Sequence, residues 1–269
     1  MSAWRIDAGV ARDLAALVGW EPDAGSVALV EGLAATVPSG STAKLEAVAA
    51  GRTPPGADPE ATARRVLADR AAGRPEVSWS CWAMSTLMAA LVETLGGGPA
   101  AVAAIRRVDA ASPPVDVHSL VVVDGLLCDP YFSSVVPAAG PEVERVHHGV
   151  WARRTDEPDG RWRCAVRNGR WPIALEYRLL GVPVDRGDVA AFCAISTTHT
   201  GAPGRPYARV WRSAAGIEAF VHEAGGAAVR AWRWAPPGGG GAGTTAQDEH
   251  PDWAGAAAGF AARTGIPLA

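Results

Sequence analysis

Three residues of this chain have the types and spacing that could do covalent chemistry: Cys81, His118 and Asp129. A cysteine attacks carbonyl carbon as its thiolate, an imidazole takes and returns the proton, and a carboxylate fixes the imidazole's tautomer and orientation. The pair Asp124-Gly125, between "VHSLVVV" and "LLCD", predicts a two-residue hairpin turn. That turn sets Val121 opposite Cys128 and Leu120 opposite Asp129, and His118 shares the face of Leu120. His118 and Asp129 are then diagonal neighbours, about 7–8 Å apart between backbones, a gap that a carboxylate can close to reach an imidazole nitrogen. Cys128 points to the other face of the hairpin. Cys81 opens "CWAMSTLMAALVETLG", where apolar spacing predicts a helix with Ser78 or Ser80 as its cap. The partial positive charge at a helix N-terminus favours thiolate over thiol, and a nearby imidazolium adds to it. Each residue alone has a bland reading: core cysteine, strand histidine, turn aspartate. Their conjunction points to a thiolate–imidazolium pair able to attack a thioester or activated acyl group.

The elements around these residues divide the chain in three. Up to residue 95 it reads as helical. "IDAGVARDLAALVGW" has Asp7 as N-cap, "SVALVEGLAATVP" stops near Pro38, and "ADPEATARRVLADRAAG" has Asp58 as N-cap, Pro59 in its first turn and Gly73 past its end. From about residue 99 to 180 the segments shorten and become rich in β-formers: "AVAAIRRVDA", "VHSLVVVDG", "LLCDPYF", "RWRCAVRNG" and "RWPIALEYRLL". Asn168-Gly169 predicts a second two-residue hairpin. Beyond residue 185, "DRGDVAAFCAIS" reads as a helix, "YARVWR", "GGAAVRAWRW" and "IPLA" as strands, and "PDWAGAAAGFAARTG" as a closing helix. "APPGGGGAGTTAQ" reads as an exposed flexible stretch.

Composition removes several classes of function. The formal net charge is −3, with no Lys/Arg-rich run, so neither nucleic acid nor an anionic membrane is an expected partner. No long apolar run spans a bilayer, and charges at the N-terminus occupy the place of a signal peptide's apolar stretch. A soluble cytoplasmic protein is expected. The four cysteines, Cys81, Cys128, Cys164 and Cys193, lack the paired spacing of a zinc site and are scattered too widely for a disulfide framework. No metal is expected. His147, His148, His222 and His250 read as surface positions, and most of the eleven tryptophans as core.

The order Cys81, His118 in "VHSLVVVDG" and Asp129 in "CDPYF" resembles the arylamine N-acetyltransferase family. "DPEATARRVL" upstream, and "ISTTHTGAPGRPYARVWR" and "WAGAAAGFAARTGIPLA" downstream, are similar to the family's corresponding stretches. The resemblance implies an α+β architecture with a core like that of transglutaminases and cysteine proteases. Residues 1–97 would form a helical bundle carrying Cys81, residues 98–184 a β-barrel carrying His118 and Asp129, and residues 185–269 an α/β lid. It further implies ping-pong acyl transfer. Cys81 would take the acyl group from acyl-CoA or from an acyl or peptidyl carrier protein, and a small-molecule amine, hydrazine or hydroxylamine would then accept it. CoA is in that case a co-substrate, and no permanently bound cofactor is expected. Trp79, Trp82, Tyr131, Phe132 and His199 are expected substrate contacts. Family members carry an aromatic residue directly before the cysteine, and here that residue is Ser80. Relatives in antibiotic pathways form amides or macrolactams, so amide formation in secondary metabolism is one expectation. A thioesterase or amidase with the same triad, and a non-catalytic ligand-binding member, are the alternatives.

Overall fold

The computed structural model describes residues 4–37, 39–40, 43, 47, 56–74, 77, 79–107, 117–139, 143–147, 150–159, 161–168, 174–198, 207–213, 216–222, 229–235, 244–251, 254–255 and 258. The helical part follows its local signals. Helix α1 spans Ala8–Val18; the Asp7 carboxylate accepts hydrogen bonds from the N–H groups of Gly9 and Val10, and Gly19 ends the helix with φ 67°. Helix α2 spans Gly25–Thr36 after a short 3-10 turn at Pro22–Ala24. Helix α3, Pro59–Ala71, is capped by Asp58, which accepts from Glu60 and Ala61, and Pro59 occupies its first position.

Helix α4 spans Cys81–Leu95, capped by Ser80 and closed by Gly96 with φ 86°. Its sequence suggests one apolar stripe, yet every residue from Trp82 to Val92 is buried, Ser85 and Thr86 included. Polar side chains survive there because they find partners: the Thr86 hydroxyl donates to the Trp82 carbonyl at 2.9 Å. The helix is enclosed because α1, α2 and α3 pack around it while the β-sheet covers its remaining side.

That sheet has eight antiparallel strands: β1 Ala101–Arg107, β2 Val117–Val123, β3 Leu126–Asp129, β4 Ser134–Pro137, β5 Val143–His147, β6 Val150–Asp156, β7 Trp162–Asn168 and β8 Ala174–Gly181. Their order is β4-β3-β2-β1-β8-β7-β6-β5. The end strand β4 also packs against β5 and β6, which nearly closes the sheet into a barrel. Alternation divides each strand between two cores. Val121 and Cys128 face the helices, whereas Ile105, Leu120, Leu127, Cys164 and Tyr177 fill the barrel. After the barrel come α5, Arg186–Thr198, and an antiparallel meander of β9 Tyr207–Ser213, β10 Gly216–His222, β11 Val229–Ala235 and β12 Thr244–His250.

Three local expectations need correction. β5 and β6 were not legible: their many charges obscure the alternation, and His147, expected in an exposed turn, ends β5 opposite Val150. The Asn168-Gly169 pair does not make a two-residue hairpin, since β7 and β8 pair with Arg167 opposite Ala174 and the connection is longer. Pro172, lacking an N–H, cannot donate to the ladder that such a tight turn would require. Thr244–Gln247, expected to be flexible, belongs to β12, whose register runs from Val229 opposite His250 to Ala235 opposite Thr244. The strand expected at "IPLA", together with Ser78, His148 and His199, lies outside the described residues.

Candidate active site

The hairpin that carries His118 and Asp129 has the register expected from its turn, with Val121 opposite Cys128 and Val123 opposite Leu126. Asp124 and Gly125 both take positive φ, 51° and 70°, as a tight turn of this type requires. The Asp124 carboxylate also accepts from the Ser26 hydroxyl at 2.9 Å, which fastens the hairpin to α2. Across the two strands, His118 Nε2 and Asp129 Oδ2 lie 2.7 Å apart, both side chains almost fully buried. The other carboxylate oxygen of Asp129 accepts from the backbone N–H groups of Tyr131 and Phe132, each at 3.0 Å. The carboxylate is therefore held by the chain turn that follows β3, and its direction does not depend on the histidine.

Cys81 meets this pair from another element. The His118 ring and the Ser119 backbone N–H lie beside its sulfur and favour its thiolate. One turn further along α4, Ser85 Oγ accepts from Ser119 Oγ at 3.1 Å, with both residues fully buried. Ser119 thus grips the nucleophile's helix at two points, beside the histidine it adjoins. Cys81 itself keeps part of its surface open.

The electrostatics follow from this packing. Burial pushes the Cys81 thiol up, but the His118 charge, its hydrogen bond and the Ser119 N–H outweigh burial and leave the thiol below its ordinary value. Burial pushes His118 down, and the Asp129 carboxylate, followed by Cys81, carries it up to about 10. Each shift favours the thiolate–imidazolium pair. Cys128 and Cys164 are pushed up to about 12, chiefly by burial, and stay thiols at neutral pH.

Of the expected substrate contacts, Tyr131 and Phe132 stand by the imidazole, with ring centroids 5.6 and 4.9 Å from it. Tyr177 of β8 lies 5.3 Å away on the barrel side. The sequence reading did not single it out; nothing local in "ALEYRLL" marks it, and only the pairing of β8 with β1 brings it to the site. Trp79 and Trp82 are buried in the helical core, and Trp82 stacks on Phe192 of α5 at 5.0 Å. An open cleft of about 400 Å³ lies elsewhere, at the starts of α1, α3 and α5, lined by Arg5, Asp58, Glu60, Ala61, Arg64 and Arg186.

No protein-family model matches this sequence, and no curated protein matches it. Solved structures do. An arylamine N-acetyltransferase from Bacillus cereus, described as having a unique Cys-His-Glu catalytic triad, aligns with TM-score 0.62 at 14% identity, over 96% of this chain and 99% of its own. The arylamine N-acetyltransferase of Mycobacterium marinum aligns with TM-score 0.60 at 15% identity, over 95% and 92%. The Mycobacterium marinum enzyme in complex with CoA aligns with TM-score 0.57 at 16% identity, over 94% and 91%. The fold is that of the arylamine N-acetyltransferases. Within this arylamine N-acetyltransferase fold, the third position of the constellation is an aspartate. Among the described residues no helix is long and apolar enough to cross a membrane.

Proposed function

We propose that this protein is an acyltransferase that works through an acyl-thioester on Cys81. The observation that carries the reading is the Cys81–His118–Asp129 constellation: a partly open thiol below its ordinary pKa, beside a buried imidazole that a buried carboxylate holds at 2.7 Å. In the first half-reaction the Cys81 thiolate attacks the donor's carbonyl carbon, forming one C–S bond. The donor's own C–S bond breaks, and the leaving thiolate takes the proton from His118. In the second half-reaction an amine nitrogen attacks the acyl-Cys81 carbonyl. His118 accepts the amine's proton, and the C–S bond to Cys81 breaks to restore the thiolate. Asp129 holds the imidazole and balances its charge throughout.

CoA is the simplest donor handle, because a structural neighbour is a complex with CoA; a carrier-linked thioester has the same reactive end. A small amine is the acceptor class, with amide formation in secondary metabolism as its finer form. Tyr131 and Phe132, whose rings stand beside the imidazole, are the proposed contacts of the acyl group. The proposed division is a helical unit over 1–97, a barrel over 98–184 and a lid over 185–269.

Intact-mass measurement after incubation with a series of acyl-CoA thioesters tests the reading. A one-acyl adduct should form, disappear in Cys81→Ala and discharge on adding an amine, with an amide as product. An adduct that persists in Cys81→Ala places the nucleophile elsewhere. Discharge to free acid alone, even with amine present, makes the protein a hydrolase.

A further inference from the structure

Three arginines stand side by side across the outer face of the barrel. Arg106 of β1 lies opposite Arg178 of β8, and Arg178 lies opposite Arg163 of β7. Their strand neighbours Ile105, Tyr177 and Cys164 turn into the barrel core, so the three guanidiniums share the outer side. Arg153 of β6, opposite Ala165, lies on the same side as a diagonal neighbour of Arg163. Like charges placed directly opposite one another destabilise a sheet. Glu157 offsets part of that cost, accepting from Arg163 Nε at 2.5 Å and from Arg178 Nη2 at 2.8 Å, while Glu176 lies 3.4 Å from Arg163. The three guanidiniums of the row still face two carboxylates, and Glu144 of β5 stands opposite Arg153 in the register, in a chain whose formal net charge is −3. Arg106 is exposed and has no ion pair among the described residues.

The row also has a direction. Arg106 stands opposite Val117, the residue before His118, so the row begins at the end of the sheet where Cys81 and His118 meet. From the strand of His118 the order runs β2, β1, β8, β7. At about 4.8 Å per strand, Arg163 lies about 14 Å to the side of the histidine's strand. A pantetheine arm, as long as four to five extended residues, reaches about 15 Å from its sulfur to its phosphate.

We propose that the row Arg106–Arg178–Arg163 binds the phosphate end of a pantetheine thioester while the thioester itself lies against Cys81. The proposal rests on the acyl-transfer reading above. A guanidinium presents a rigid fork of donors that fits phosphate oxygens. Glu157 takes the Nε and Nη2 edge of Arg178 and the Nε of Arg163, which fixes both side chains and leaves their other N–H groups, with the whole Arg106 fork, for a ligand, so less side-chain freedom is lost on binding. The ligand class is a phosphate ester of pantetheine, a chemistry shared by CoA and the phosphopantetheine of a carrier protein.

Calorimetric binding of CoA, 4′-phosphopantetheine and pantetheine to the resting protein tests this. Both phosphorylated ligands should bind about tenfold or more tightly than pantetheine at low salt, with the advantage shrinking as salt rises. Arg106→Glu should remove most of that advantage and leave pantetheine binding unchanged. If phosphopantetheine equals CoA, the single phosphate shared with carriers suffices; if CoA alone gains, the pantetheine phosphate is not what the row binds and the proposal is overturned. Equal binding of all three, no binding of any, or an advantage that survives Arg106→Glu overturns the proposal. Phosphate-dependent binding without any Cys81 acylation would sink the catalytic reading and leave the site standing.

Discussion

At the scale of the residue, the decisive feature is that Cys81 and His118 each shift the other toward its charged form. Alkylation of Cys81 by iodoacetamide should therefore remain fast below the free-thiol value of about 8.5. In His118→Ala, only the Ser119 N–H would oppose burial, and alkylation at pH 7 should slow by more than tenfold; an unchanged rate would show that the histidine does not activate it. Cys128 and Cys164, pushed up to about 12, should not label in the folded protein. The shifts also set a stability profile. The folded pKa of His118, about 10, lies above its unfolded value of about 6.5, so its contribution is fully present below pH 6.5 and is lost as pH rises through 10. Cys81 has the opposite sign: its contribution is present above the unfolded thiol value of about 8.5 and is lost as pH falls through the lowered folded value. Above pH 8.5 only the histidine's loss remains. The unfolding midpoint of the native chain should fall between pH 8.5 and 10 more steeply than that of His118→Ala, which scanning calorimetry at stepped pH would show.

At the scale of the element, the site depends on how β2 is fixed to α4. The Ser119–Ser85 hydroxyl bond ties the strand to the helix where no solvent reaches. Replacing either serine by alanine strands the other hydroxyl and should cost about 1–3 kcal/mol. Replacing both removes donor and acceptor together, so the double variant should cost less than the sum of the singles. Denaturant unfolding of the four proteins measures the coupling, and additive losses would mean that the bond does not join the two elements. How these elements form was largely legible beforehand. Asp7, Asp58 and Ser80 cap their helices through hydrogen bonds to residues two or three further on, and Asp124-Gly125 sets a register within one hairpin. β5 and β6 were not legible. Their charged residues are tolerated because the strands pair within a larger sheet, as where buried Arg154 of β6 finds Asp156 on its own strand.

At the scale of the whole molecule, Gly56 marks where three parts meet. Its φ is 140°, and a Cβ there would stand 2.9 Å from the sulfur of Cys193 on α5, 3.1 Å from Trp82 Cβ and 3.4 Å from the Ala83 nitrogen on α4. Gly56→Ala should push on the first turn of α4, cost about 1–3 kcal/mol and slow alkylation of Cys81. Gly19→Ala is the comparison: its φ of 67° is strained for alanine, but nothing lies within 4 Å. That variant should cost about 1 kcal/mol and leave Cys81 alkylation unchanged. Equal effects of the two on alkylation would remove the case for close packing at Gly56.

The sequence by itself determined what depends on near neighbours: the helix caps, and the two-residue turn that puts His118 and Asp129 on one face. Such features are set by backbone dihedrals and hydrogen bonds within a few residues, and their physics needs no distant partner. Tertiary structure decided everything that depends on elements far apart in the chain. It brought Cys81 to His118 and enclosed α4 on all sides, which turned an apparent surface stripe into the centre of the helical core. It carried Tyr177 from β8 to the imidazole and aligned Arg106, Arg178 and Arg163 across three strands. These contacts form only when non-local strands pair and the helices close over them, and neither composition nor periodicity records which distant residues will be neighbours.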